Sequence, residues 1–212
     1  MVKMNNTSQT DLFTEQLDIN HLNNSIGISG LEYQPNFLSI NKSNLLLEEI
    51  DGMKWMVDLR RRVQHYGYKY DYNRRRVDKS MRIDDPPNYL QEISNKLKEK
   101  NIFDKTPDQV IINEYEPGQG ISNHIDCEPC FEDTVASISL GSPCVMNFTN
   151  RDDKTVIKHC LLEPLSLVIL KDEARYKWMH GIKPVKTDTY NSMKIKRERR
   201  ISITFRKVIL TV

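Results

Sequence analysis

No apolar stretch of membrane-spanning length occurs in this sequence; the longest, Leu165 to Leu170, has the length of one buried strand. No basic and apolar leader opens the chain, so neither a spanning nor a secreted protein is expected. Cysteine is scarce. Cys127, Cys130, Cys144 and Cys160 supply no disulfide framework, and Cys127-Glu128-Pro129-Cys130 lacks the second ligand pair that structural zinc requires. Four free thiols in a reducing, intracellular compartment, cytoplasmic or nuclear, are the expectation. Charge of one sign is not in excess either: 31 Lys and Arg against 29 Asp and Glu leave +2, which does not by itself announce a nucleic-acid binder. Internal repeats are absent. What remains is ordinary globular usage, 38% apolar and 28% charged over 212 residues, enough for one domain with a sizeable core and expected to be a monomer.

Residues 1–30 are polar and rich in Asn, Ser and Thr, and read as a disordered tail before a folded domain over 31–212. Ser43 to Ile50 reads as a capped helix. Asn88 to Lys100, entered through Pro86-Pro87, places Tyr89, Leu90, Ile93 and Leu97 at helical spacing. From Gln109 the pattern changes to short strands: Val110 to Tyr115, Val135 to Leu140, Val145 to Phe148, Val156 to Leu162, Leu165 to Leu170 and Ile201 to Val208. Helices first and many strands after argue for an α+β chain whose sheets form a double-stranded β-helix, a cupin-like jelly roll.

Within that pattern His124 and Asp126 stand two positions apart, and His180 follows in Tyr176-Lys177-Trp178-Met179-His180-Gly181. Two imidazoles and one carboxylate are the ligands of a facial triad for non-haem Fe(II), and strand alternation would project His124 and Asp126 to one side. Each of the three could equally be a hydrogen-bonded core residue. The segment Arg200-Ile201-Ser202-Ile203-Thr204-Phe205-Arg206 shifts the balance, since it sets Arg200, Ser202, Thr204 and Arg206 on one strand face. Two guanidiniums on a buried face need an anion, and a dicarboxylate provides one. Asn113 and Tyr115 share a strand face and can add neutral hydrogen bonds. Iron with 2-oxoglutarate is the ligand pair this combination suggests, an arginine forking the far carboxylate.

Asn113-Glu114-Tyr115-Glu116-Pro117-Gly118-Gln119-Gly120, His124-Ile125-Asp126, His180-Gly181-Ile182 and the Arg200 to Arg206 strand together resemble the AlkB family of Fe(II)/2-oxoglutarate dioxygenases. Arg62 to Tyr68, Phe131-Glu132-Asp133 and Ser137 to Ser142 resemble most the branch that hydroxylates a wobble-uridine side chain in tRNA. The resemblance implies His124, Asp126 and His180 on Fe(II). It implies 2-oxoglutarate held by Arg200 with Arg206, Asn113 and Tyr115 assisting, and dioxygen as the third reactant. Ser202 stands where the DNA-repair members have Asn. The animal tRNA-modifying relative adds an RNA-recognition domain and a methyltransferase; this chain is expected to lack both, so that substrate delivery falls to the catalytic domain or a partner.

Arg60-Arg61-Arg62 and Arg74-Arg75-Arg76 flank His65-Tyr66-Gly67-Tyr68-Lys69-Tyr70-Asp71-Tyr72. The tyrosines recur with period two, as on one strand face, and cations interleaved with aromatics suit phosphates and stacked bases. A solvated hairpin whose tyrosines cover core is the alternative. The AlkB resemblance favours a substrate lid, with Arg62, His65, Tyr68, Tyr70, Arg74, Arg75 and Arg76 as contacts to DNA or RNA. The expected reaction is oxidation of an alkylated or modified nucleobase, either demethylation or wobble-side-chain hydroxylation in tRNA. A protein-methyl oxidase and an idle nucleic-acid-binding module are the alternatives. In the tail, Gln9-Thr10-Asp11-Leu12-Phe13 resembles the short peptide that docks bacterial DNA-processing proteins on the sliding clamp.

Overall fold

In the computed structural model, which describes residues 26–57, 60–71 and 74–210, two longer helices precede nearly all of the strands. Helix α1 (Ile40–Gly52) begins earlier than Ser43 because the cap is Ser39, whose hydroxyl accepts the Lys42 backbone N–H. Helix α2 (Asn88–Glu99) starts after Pro87, which has no N–H to leave unpaired. Its Leu90, Ile93 and Leu97, three and four residues apart, are fully buried.

The strands are β1 (Leu31–Gln34), β2 (Val63–Tyr66), β3 (Gln109–Tyr115), β4 (Ile121–His124), β5 (Phe131–Gly141), β6 (Cys144–Asn150), β7 (Ile157–Leu162), β8 (Leu167–Leu170), β9 (Trp178–Ile182), β10 (Thr187–Tyr190), β11 (Met193–Lys196) and β12 (Arg200–Val208), with a short helix α3 (Asp172–Tyr176) between β8 and β9. Six form one antiparallel sheet in the order β1-β8-β5-β12-β3-β2, four a second in the order β4-β9-β6-β7, and β10-β11 a separate ribbon. This is the jelly roll.

Alternation along β12 divides its side chains between two environments. Ile201, Ile203 and Phe205 join Leu46, Ile50, Leu90, Ile93 and Leu97 in a core between the large sheet and the helices. Arg200, Ser202, Thr204 and Arg206 face the other way, into a cavity between the sheets. A second core, with Val135, Val168 and Leu170 of the large sheet and Met146, Phe148, Trp178 and Ile182 of the small one, seals the layers together. Ile28 belongs to it, so the packed domain begins before residue 31. The remainder of the expected tail, including Gln9 to Phe13, lies outside the described residues. Among the described residues no helix is long and apolar enough to cross a membrane.

Two expectations change. Tyr66, Tyr68 and Tyr70 do not share one strand face: Tyr66 joins the helix-side core, whereas Tyr68 and Tyr70 pack in a third cluster with Val77, Cys127, Cys130, Phe131 and Val208. The break is at Gly67, whose φ is +78° and where a Cβ would lie 1.8 Å from the Asp108 carbonyl oxygen. Only glycine fits there, and the strand ends. Tyr72 lies outside the described residues. The second change concerns the thiols: Cys127 and Cys130 form a disulfide, and only Cys144 and Cys160, both buried, are free. The turn after β4 brings the two sulfurs together within the third cluster, a proximity that cysteine counting does not register.

Candidate active site

His124 ends β4 and pairs with His180 of β9, their ring centroids 4.4 Å apart. Gly181 permits this approach: a Cβ there would meet Asn123 Oδ1 at 2.3 Å and the Ile121 carbonyl oxygen at 2.9 Å. Asp126 is not on the strand; it lies in the turn beyond β4, so strand alternation does not bring it to His124. Two arginines hold it instead. Arg206 donates Nη1 to Asp126 Oδ1 at 2.6 Å, its own Nε held by Gln109 Oε1 at 2.9 Å. Arg175 of α3, 2% exposed, donates Nη1 to the Asp126 carbonyl at 2.9 Å and directs Nη2 toward the carbonyls of Cys127 and Phe131 at 3.4 and 3.5 Å. His180 Nε2 is then 3.5 Å from Asp126 Oδ2, and one ligand atom from each of His124, Asp126 and His180 lies within 4.8 Å of the others.

The protonation states suit a metal ion. Burial alone would raise the Asp126 carboxyl, but Arg206, followed by His180, His124 and Arg175, outweighs it and holds the group well below the usual carboxylate range. Burial, reinforced by neighbouring His124, pushes His180 down to about 3, which leaves a neutral imidazole. His124 Nδ1 lies 2.9 Å from the Ser122 carbonyl, which only accepts, so Nδ1 bears the proton and Nε2 is left as the ligand atom. One carboxylate and two neutral imidazoles are the forms in which these groups bind metal.

Beside the triad, Arg200 lines the same cavity and is 3% exposed. Its Nη2 donates to Ser139 Oγ at 2.8 Å, while Nε and Nη1 are buried without a partner. A buried guanidinium with two unused N–H groups is a site for a carboxylate. Tyr115 lies between Arg200 and Arg61, their guanidinium carbons 5.4 and 5.3 Å from its ring centroid. Arg61 Nε also donates to Asn113 Oδ1 at 2.8 Å. A guanidinium cannot accept, so Asn113 must turn its oxygen to Arg61, which leaves its NH2 as the donor available to the cavity it lines.

The cavity, about 1530 Å³, brings together His124, Asp126, His180, Arg200, Arg206, Asn113 and Tyr115, and adds Tyr70 and Arg75 from the expected lid. Arg62, His65, Tyr68, Arg74 and Arg76 are not among its lining residues. Arg62 pairs with Glu114, Nη2 to Oε1 at 2.7 Å, and stacks on Trp55; His65 is buried on β2 opposite Ile111; Tyr68 is core. Arg74 and Arg76 are exposed, beside Asp71 and Asp78. Cations outside the expected contact set line the cavity instead: Arg60 and Arg61, from the run that flanks the aromatic stretch, and Arg151 and Lys183. Arg61 had a signal, since residue 62 pairs with β3 through the Glu114 N–H and neighbouring side chains must then diverge. Arg175 had none.

Residues 51–206 match the model of the 2OG-Fe(II) oxygenase superfamily. An uncharacterized protein, L905, of Acanthamoeba polyphaga mimivirus is 37% identical over 186 residues, covering 86% of each chain. The tRNA (carboxymethyluridine(34)-5-O)-methyltransferase alkbh8 of Xenopus tropicalis is 36% identical over 200 residues, which cover 84% of this chain and 32% of that protein. This chain thus spans about a third of the frog relative's length. Among solved structures, OsALKBH1 superposes with a TM-score of 0.64 at 17% identity, covering 84% of this chain and 96% of that one.

Proposed function

Because this chain belongs to the 2OG-Fe(II) oxygenase superfamily, with homologues of the AlkB type, it is a dioxygenase using Fe(II), 2-oxoglutarate and dioxygen, and we propose that the carbon it oxidises lies on an alkylated or modified nucleobase. The observation behind this reading is the charge of the cavity wall. Arg60, Arg61, Arg75 and Lys183 line it, against Asp126, already held by Arg206, and Glu128, paired to Arg151 at 2.8 Å. An anionic polymer is attracted to such an opening, and Tyr70 within it offers a ring to a base.

The oxidising power comes from Fe(II) with 2-oxoglutarate, whose decarboxylation to succinate is coupled to hydroxylation of a substrate C–H bond. In this reading His124 Nε2, the Asp126 carboxylate and His180 hold the metal, and Arg206 keeps the carboxylate turned toward it. Arg200 offers its unpartnered donors to the far carboxylate of the keto acid, and the Asn113 NH2 and Tyr115 hydroxyl supply neutral donors. Tyr115, walled by Arg61 and Arg200, restricts water at that end. Substrate chemistry then decides the product. A methyl on a base nitrogen becomes a hydroxymethyl group that leaves as formaldehyde, whereas a carbon-bound side chain keeps its hydroxyl. The frog relative is named for methyl transfer to a carboxymethyluridine at position 34 of tRNA, a base whose carbon-bound side chain would give the second outcome.

The test is succinate formation with Fe(II) and 2-oxoglutarate on methylated oligonucleotides and on bulk tRNA, with formaldehyde measured in parallel. Succinate without formaldehyde on tRNA supports side-chain hydroxylation, and matched succinate and formaldehyde supports demethylation. Turnover only on methylated protein would replace the nucleobase reading. Asp126→Ala should abolish turnover while RNA affinity stays close to that of the parent.

A further inference from the structure

Between His180 and Arg200 the chain builds the β10-β11 ribbon, which the chemistry above does not use. Its turn places Asn191 and Ser192 at φ of 47° and 66°, both left-handed, the geometry of a tight two-residue hairpin. Register pairs Thr187 with Lys196 and Thr189 with Lys194, so these four share one face; Asp188, Tyr190, Met193 and Ile195 share the other. All four residues of the first face are exposed, and Lys194 Nζ lies 2.9 Å from Thr189 Oγ1. Lys183 and Lys186, at the root of the ribbon, are exposed as well. Between Thr187 and Lys196 the one acid is Asp188, buried and neutralised by Arg197, Nε to Oδ2 at 2.6 Å and Nη2 to Oδ1 at 2.7 Å, while exposed Glu198 follows beyond the ribbon.

The same ion pair fixes the ribbon to the mouth of the cavity. Asp188 Oδ2 accepts the Val145 N–H of β6 at 3.1 Å, and Arg197 Nη1 donates to the carbonyls of Lys183 and Gln119 at 2.8 and 3.3 Å. Gly118 N–H donates to the Val185 carbonyl at 3.2 Å. Lys183, Gly118 and Gln119 all line the cavity, so the ribbon is anchored at its edge and Lys183 joins the two.

We propose that this ribbon is a phosphate-binding arm, whose Thr187, Thr189, Lys194 and Lys196 face, together with Lys186 and Lys183 at the root, takes the sugar-phosphate backbone of the substrate strand beside the target nucleotide. The inference rests on the nucleobase reading. Paired hydroxyls and ammonium groups, with no carboxylate among the four residues of that face, suit phosphodiesters, and contacts of this kind position a strand without reading its sequence. An acidic polypeptide would meet the same charge, but Lys183 lines the cavity that the reacting nucleotide would enter.

The test compares Lys194→Gln/Lys196→Gln with Lys98→Gln/Lys100→Gln, a pair of equal charge at the end of α2, the helix packed on the far side of the large sheet. Binding of a labelled single-stranded RNA is measured by anisotropy from low to high salt. Each lost phosphate contact lowers the salt slope by about 0.7, so the ribbon pair should reduce it by about 1.4 and weaken binding about tenfold at physiological salt. The control pair should match the parent. If the ribbon pair also matches it while the parent binds RNA, the arm is refuted and the nucleobase reading stands. If the parent binds poly-glutamate more tightly than RNA, the arm is likewise overturned; if it neither binds nor oxidises any nucleic acid, both readings fall.

Discussion

Arg200→Met should make the ligand-free protein more stable while it destroys co-substrate binding. Two of the arginine's N–H groups are buried and unpartnered. A buried donor left unmade is worth about 1–3 kcal/mol, so methionine of similar length removes roughly 4 kcal/mol of penalty. Against that stand the bond to Ser139 and the stacking on Tyr115, about 1 kcal/mol each. The balance is a gain of about 2 kcal/mol, which for a domain of this size raises Tm by roughly 4–8 °C. With Mn(II) in place of iron, a non-reactive keto-acid analogue at a hundred times its Kd should add about 2.7 kcal/mol to the parent and nothing to the variant. The assay is a thermal melt of both proteins with and without analogue. A variant that melts lower than the parent without ligand, or still rises with the analogue, would refute the reasoning.

In the metal-free protein His180 stays neutral down to about 3, whereas the unfolded chain protonates near 6.5, so between those values the unfolded state binds the extra proton and stability rises with pH. From pH 7 down to pH 4 the loss should reach about 3 kcal/mol in urea melts, and His180→Gln should remove that part of the slope; identical slopes in both proteins would contradict it. Gly181→Ala forces a methyl against Asn123 and should cost about 1–3 kcal/mol through overpacking. It should also displace His124 and lower Mn(II) affinity, which calorimetry would detect; unchanged affinity would mean the close approach of β4 and β9 is not needed. Reduction of Cys127–Cys130, a bridge that closes a very short loop, should destabilise by no more than about 2 kcal/mol. A Cys127→Ser/Cys130→Ser variant should melt identically with and without reductant, and a reductant effect in that variant would place the sensitivity elsewhere.

The alternation of β12 was readable in the sequence because both its neighbours, β3 and β5, continue the ladder across every residue from Arg200 to Arg206. His124 and His180 were readable for a similar reason, as opposed positions on paired strands. Asp126 comes beside His124, but not through the strand alternation that the spacing suggests: its place is set by Arg175 and Arg206, contacts distant in sequence that no spacing rule contains. The tyrosine series misled because period two predicts a face only while the strand lasts, and Gly67 ends it. The basic face of the ribbon was hidden by its own ladder. Thr187 and Thr189 are read with Lys194 and Lys196 only after the Asn191-Ser192 turn folds one strand onto the other.

His124 and His180 belong to the four-stranded layer, yet the guanidinium that grips Asp126 comes from the six-stranded one. The triad is therefore a clasp across the sandwich. Prising the layers apart by heat, denaturant or an oversized residue in the seam pulls its members in opposite directions, and half a sandwich has no clasp to close. Metal retention should consequently track how tightly the two halves stay shut, and loading the ion should in turn resist their opening.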